Sequence, residues 1–268
     1  MIKLKGVIQD YAWGKGSESI IHQEFGLSHQ SERYAELWFG SHPNGDSFIN
    51  DSKTTLSQYL IDNPNFLGNK VNENFGQTLP FLFKILSVGQ ALSIQLHPNL
   101  PEAQKLHQED PEHYPDPFPK PEAGVAITPV KILYGYRPLS EIEKFLDKSN
   151  PNFCPELEQI NQQAELNYKN LTKKLLSLDS EVIKNLCSNL WERLQAKSQL
   201  EEYEQEILKL QKLYPEGDRG VFFFYLLNFV VVKPGEALFI DANIMHAYLE
   251  GELVEIMAPS NNLSLIHI

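Results

Sequence analysis

The sequence predicts a mainly β protein interrupted by an inserted α-helical domain, and three observations carry that expectation. Residues 1–138 are rich in aromatics, Gly and Pro and hold only short apolar runs, the pattern of short strands joined by turns. Between 139 and 216 the character changes: Gly is absent from 139 to 214, and apolar residues recur at helical spacing. Over 217–262 the β signal returns, and a last segment, 263–268, stands apart in character.

Within 1–138, "TTLSQYLIDNP" predicts a helix opened by a threonine cap and closed ahead of Pro64. "LSIQLHP", residues 92–98, predicts a strand with Ser93, Gln95 and His97 on one side and Ile94 and Leu96 on the other. Pro98 stops it. "NLPEAQKLH" predicts a helix with Asn99 as cap and Pro101 in the first turn, where a missing N–H costs nothing. Five prolines in 114–130 hold the chain extended and set Lys120 and Glu122 on one side.

In the helical segment, "LSEIEKFLDK" carries a capping-box pattern, Ser140 with Glu143. Ile183, Leu186, Leu190, Trp191 and Leu194 define one apolar face, and Leu200, Tyr203, Ile207, Leu210 and Tyr214 another. "GVFFFYLLNFVVV" then predicts a strand buried on both faces, with a buried helix as the competing reading. "KPGEALFI" is a turn feeding a strand. A second tight turn around "DAN" follows, in which Asn243 suits a left-handed backbone. His246 and Tyr248 share one face of the next strand. In "ELVEIMA", Leu253, Glu255 and Met257 oppose Val254 and Ile256.

Bulk properties narrow the function. The chain has 268 residues, 42% of them hydrophobic, and a net charge of −12, which argues against binding a nucleic-acid backbone. A small anion needs only a local Lys or Arg cluster. Two cysteines, Cys154 and Cys187, make neither a disulfide framework nor a thiolate metal site. The N-terminal "MIKLKGVIQDYAWG" lacks the apolar core of a signal peptide, and no run reaches membrane-spanning length. The expectation is a cytoplasmic protein with no membrane partner.

Gln95, His97, Glu122 and His246 make a two-nitrogen, two-oxygen donor set suited to a divalent transition ion, zinc by default. Taken alone, each is ordinary: a histidine near a strand end is more often a hydrogen-bonded structural residue. The eleven positions from Gly235 to His246 match the spacing of the second motif of cupin barrels.

"QDYAWG", "YAELWFGSHP", "LPFLFKILSVGQALSIQLHP", "YPDPFPKPE" and "GEALFIDANIMHAYLEGELVEIMA", in that order, resemble the type I mannose-6-phosphate isomerase family. The resemblance implies a cupin-type (jelly-roll) β-barrel with a helical insertion. It implies one Zn2+ per chain on Gln95, His97, Glu122 and His246. It also implies interconversion of mannose 6-phosphate and fructose 6-phosphate through an enediol(ate). Lys120, Tyr248 and Glu255 fall on catalytic positions, and Lys84 and Ser93 on substrate-binding ones. Trp13 and Glu36 lie in family motifs without an assigned role. The partner is then a small sugar phosphate, and a monomer is expected.

The similarity stops at "MAPSNN". The family pattern continues with an arginine, and here that position is Leu265 within "LSLIHI". The expectation is a C-terminally truncated chain, lacking a further barrel region and impaired in turnover. The alternatives are a non-catalytic metal-binding cupin that senses sugar phosphates, and a cupin metal dioxygenase, which the Gln in the donor set disfavours.

Overall fold

The structure, a computed structural model, describes residues 2–25, 32–50, 52–162, 165–260, 262 and 264–266. The N-terminal part supplies β1 (Leu4–Lys5), β2 (Val7–Gln9), α1 (Ile20–Phe25), β3 (Glu36–Phe39), β4 (Ser41–His42), β5 (Gly45–Asp46) and β6 (Phe48–Ile49). Helices α2 (Leu56–Asp62) and α3 (Asn69–Phe75) lead to β7 (Leu82–Val88) and β8 (Ile94–Leu96), then α4 (Leu100–Glu109), β9 (Glu122–Ala126) and β10 (Val130–Tyr136). Five helices follow: α5 (Leu139–Leu146), α6 (Pro155–Asn161), α7 (Tyr168–Ser177), α8 (Ser180–Gln195) and α9 (Glu202–Leu213). A 3₁₀ turn at Arg219–Phe222 and α10 (Phe223–Leu226) bring the chain to β11 (Leu227–Val232), β12 (Ala237–Ile240), β13 (His246–Met257) and β14 (Ser264–Ile266).

Local chemistry explains the boundaries. The Thr55 hydroxyl accepts from Gln58 N–H to open α2. Asn99 and Glu102 form a reciprocal capping box on α4, with Pro101 in its first turn. Three expectations need correction. The protein is mixed α/β rather than mainly β, with more described residues in helices than in strands. No capping box forms at Ser140: α5 starts two residues earlier than that cap would set it, behind Pro138, whose ring presets the backbone and leaves Ser140 inside the first turn. The run "GVFFFYL" is helical, and only Leu227–Val232 is strand. The Asp218 carboxylate accepts from Gly220 N–H and starts the helical turn. Phe222 to Leu226 are buried on every side, so periodicity there is silent.

All the pairings are antiparallel, and β13 belongs to two half-sheets. Its first half lies between β10 and β8, with β11 beyond β10 and β14 beyond β8. Its second half lies between β7 and β9, continuing to β3 and β2 on one side and to β12 on the other. Where the halves meet the register slips: Lys131 faces Glu250 while Ile132 faces Tyr248, so β13 carries one extra residue. That bulge changes which side chains share a face. His246 and Tyr248, and then Leu253, Glu255 and Met257, all turn inward, which strict alternation would forbid. The inner faces close on one apolar cluster that includes Leu86, Ala126, Ile132, Ile240, Tyr248 and Leu253.

Helices α5–α9 leave the sheet after β10 and return before β11, its hydrogen-bonded neighbour. They share one core with the outer face of the sheet, where Leu133, Ala247 and Leu249 join Leu190, Trp191 and Leu194 of α8. A charge lattice fastens α9 to the strands: Lys131 reaches Glu206 at 2.7 Å and Glu250 at 3.3 Å, and Lys209 reaches them at 3.0 and 3.1 Å. Cys154 and Cys187 are free and buried. Among the described residues no helix is long and apolar enough to cross a membrane.

Gly251 follows the bulge at φ +124°, and a Cβ there would stand 2.6 Å from the Pro129 carbonyl oxygen. Gly251→Ala therefore meets strain and a clash with backbone. The expected loss is about 2–4 kcal/mol of unfolding free energy, read by urea denaturation.

Candidate active site

The site is built where the two half-sheets meet. Gln95 lies in β8, directly opposite His246, the first residue of β13. His97 follows β8, and its carbonyl accepts from Asn243 N–H at 2.8 Å. Asn243 takes the left-handed conformation, φ +63°, which turns the chain from β12 back toward the site. Glu122 opens β9, opposite Ile240 and Met257. The extended Pro-rich segment before it delivers Lys120.

Three buried donors converge: one ligand atom each from His97, Glu122 and His246 lies within 4.8 Å of the others. His97 Nε2 is 3.2 Å from Glu122 Oε1, and His246 Nε2 is 3.6 Å from Oε2. Neither Nε2 makes a well-formed hydrogen bond among the described residues, although both are buried. Each ring's other nitrogen is accounted for, His97 Nδ1 on the Asn262 carbonyl at 3.1 Å and His246 Nδ1 on the Ile244 carbonyl at 2.9 Å. A carbonyl oxygen only accepts, so Nδ1 carries the proton and each Nε2 offers a lone pair to the centre. Two buried lone pairs flanking a carboxylate is an arrangement a divalent cation completes.

Above the donors lies a cleft of about 270 Å³, lined among others by Trp13, Lys84, Gln95, Lys120, Glu122, Tyr248 and Glu255. Ser93, half-buried just before β8, is not among its lining residues. The cleft also holds groups to which the sequence reading gave no role: Tyr11, Glu36, Trp38, His42 and Ser260. Glu36 takes part in a buried polar cluster. It accepts from the Trp38 indole N–H and pairs with the Lys84 ammonium at 3.3 Å. Lys84 also lies 3.9 Å from Glu255 and over the Trp38 ring. The alternating "AELWF" was the available signal, because it places Glu36 and Trp38 on one face of a strand.

Electrostatics separates the carboxylates. Burial alone would raise the Glu122 pKa, but the Lys120 ammonium at 3.2 Å opposes it most strongly, and Glu122 is held well below the usual range. Glu255, 3% exposed, is pushed up to about 8 by burial and then by the Glu122 charge, with Lys84 opposing. The Tyr248 hydroxyl donates to Glu255 Oε1 at 3.3 Å, and burial followed by that charge raises the phenol well above its ordinary value. His97 is lowered, by burial first, which favours the neutral ring a metal needs.

Fold and site together define a protein with a His–Glu–His cluster able to hold a divalent cation at the floor of a polar, aromatic-walled cleft. Residues 1–139 match the family described as phosphomannose isomerase type I, catalytic domain. The mannose-6-phosphate isomerase of Bos taurus is 41% identical over 290 aligned residues, covering 97% of this chain and 67% of that protein. The Homo sapiens enzyme is 39% identical, with the same two coverages. A crystal structure of mannose 6-phosphate isomerase bound with zinc and yttrium superposes with a TM-score of 0.85 at 33% identity, over 99% of this chain and 70% of that one. The chain belongs to the type I phosphomannose isomerase family, and spans about two thirds of the length of these relatives.

In metal-free protein the raised Glu255 pKa has a signed consequence for stability. The unfolded group titrates near its ordinary 4.5 and the folded one near 8, so its contribution is full below about pH 4.5 and lost as pH rises to 8. Glu255→Gln is expected to flatten the fall in urea-unfolding stability between pH 5 and 8 and to be the more stable form at pH 8, by on the order of a few kcal/mol. Parallel wild-type and variant curves would contradict the assignment.

Proposed function

We propose that this protein interconverts mannose 6-phosphate and fructose 6-phosphate through an enediol(ate), with one Zn2+ held by Gln95, His97, Glu122 and His246. The observation that carries the metal part is the convergence of two buried, hydrogen-bond-free Nε2 atoms on one carboxylate. When bound, the ion supplies Lewis-acid polarisation of the sugar carbonyl. Gln95, across the ladder from His246, is positioned to add a neutral oxygen to the set. Family membership supports the substrate and the reaction class.

The remaining groups divide the proton transfer. Glu255 is buried and its pKa is pushed up to about 8, so one carboxyl can take a proton from one carbon and return it to its neighbour. Lys120, with its ammonium on Glu122, is the second acid–base candidate on the same wall. Tyr248 orients Glu255 through its hydroxyl. Lys84 holds the Glu36 and Glu255 carboxylates in place and turns positive charge toward a phosphorylated substrate. Ser93 is assigned to substrate by the family resemblance alone, since it does not line the cleft. A cupin-type barrel carrying its helices as an insertion between β10 and β11 fits the strand order.

The reduced turnover expected from the sequence depends on position 265. Leu265 lies opposite Gln95 in the β14–β8 ladder, where the family resemblance places an arginine. Leu265→Arg is expected to raise kcat by about tenfold or more, since one well-placed donor to a developing oxyanion commonly contributes that much.

The direct test measures zinc content and coupled isomerase activity on one preparation. We expect about one zinc per chain. His97→Ala and Glu122→Gln should each lose the metal and at least ~100-fold in kcat/KM. Glu255→Gln should keep the metal and lose ~100-fold or more in kcat. Zinc-replete protein with no sugar-phosphate interconversion would overturn the isomerase reading.

A further inference from the structure

After β13, Ser260 and Asn262 return to the site and grip the Pro-rich segment, Asn262 with the larger share. Asn262 is fully buried. Its Nδ2 donates to the carbonyl oxygens of Asp116 at 2.6 Å and Phe118 at 2.9 Å, and to Asp116 Oδ1 at 3.2 Å. Its backbone N–H donates to the Ser260 hydroxyl at 3.1 Å, and that hydroxyl donates to Asp116 Oδ1 at 2.8 Å. Its backbone carbonyl is the acceptor for His97 Nδ1. One residue therefore holds, by its side chain, the segment that goes on to deliver Lys120 and Glu122, and by its main chain the ring of His97.

The chemistry of the contacts gives that link a direction. A neutral imidazole has one N–H and one lone pair, and the partner of one nitrogen decides the role of the other. A carbonyl fixed at Nδ1 leaves the lone pair on Nε2, 3.2 Å from Glu122. A carbonyl that could rotate away would release the ring to the other tautomer, with its N–H aimed at the carboxylate. The Asn262 amide prevents that rotation because its donors are bound to two main-chain carbonyls.

We propose that Asn262 is a positioning residue of the metal centre, fixing His97 in the Nδ1-protonated tautomer and holding the Asp116–Phe118 loop against it so that His97 and Glu122 arrive together. The zinc consequence rests on the metal reading above; the tautomer does not. Alanine at 262 removes the donors. Aspartate keeps the size but sets an acceptor carboxylate against three acceptor oxygens.

The test reads the rings without metal. In metal-free protein labelled with 15N-histidine, long-range proton–nitrogen correlation spectra report each tautomer. Wild type should show His97 protonated at Nδ1. In Asn262→Ala and Asn262→Asp, His97 should become a tautomer mixture while His246, held by the Ile244 carbonyl, stays Nδ1-protonated. General loosening of the fold would disturb both rings alike. Zinc affinity, by competition with a chelator, should fall about 10–100-fold in both variants. An Nε2-protonated His97 in wild type overturns the proposal whether or not the variants fold. So does either folded variant that keeps the wild-type tautomer and affinity. Wild-type protein that takes up no zinc would instead sink the metal reading, and the metal-free spectra would still decide the role of Asn262.

Discussion

The structure depends on one constraint: a negative charge on Glu122 has to be tolerated at 4% exposure. Removing a carboxylate from water costs several kcal/mol unless charge and hydrogen-bonding partners replace the solvent. Here the Lys120 ammonium supplies the charge, while two imidazoles turn lone pairs rather than N–H donors toward the oxygens. Each partner comes from a different part of the chain, His97 after β8, Lys120 from the Pro-rich segment and His246 from β13. Three segments of the chain therefore meet at this one carboxylate. A structural ion pair would need only Lys120. Two further nitrogens whose lone pairs face the carboxylate are surplus to that need, and the surplus is what points to a cation.

The strand that unites the site is β13, and it can do so only because it is irregular. Tyr248 and Glu255 are seven residues apart, so uninterrupted alternation would put them on opposite faces. The extra residue near Leu249 and the positive φ of Gly251 reverse the phase, and the Tyr248 hydroxyl meets Glu255. The same shift leaves Glu252 on the other side, where it accepts from the Ser87 hydroxyl and from Ile20 N–H at the start of α1. That contact ties down the chain after Tyr11 and Trp13, the aromatic pair on the cleft wall. One bulge thus serves the chemistry on one face and anchors the mouth of the cleft from the other.

What the sequence revealed follows the range of the interactions involved. Thr55, Asn99 and Asn243 act within a turn of their own position, and their roles were legible from neighbours alone. His97, Glu122 and His246, which converge in the fold, were legible as candidate donors because their residue types are uncommon in such company, although their meeting depends on distant pairing. Glu36 and Asn262 were missed as functional groups. Their partners, Lys84 for one and Asp116, Phe118 and His97 for the other, are far away in sequence; the alternation around Glu36 was a local hint, and Asn262 had none. The run before β11 misled for another reason. A segment buried on all sides has no polar face, so no periodicity tells helix from strand.

The two buried carboxylates show how one cleft can hold both a permanent anion and a proton carrier. Glu122 and Glu255 are almost equally buried, so desolvation does not distinguish them. Their neighbours do. Glu122 has Lys120 at 3.2 Å, whereas Glu255 has Lys84 at 3.9 Å, an ammonium that Glu36 holds more closely at 3.3 Å. Glu36 thus withholds from Glu255 part of the cation that would ionise it, and the charge on Glu122 adds to the effect. A cation placed among the donors would cancel some of the Glu122 field and lower the Glu255 pKa toward the neutral range where proton exchange is most effective. On the proposed reading, the charge that would anchor a metal and the carboxyl that would move the proton are coupled through the same few ångströms, and ionisation of Glu255 would depend on whether the site is loaded.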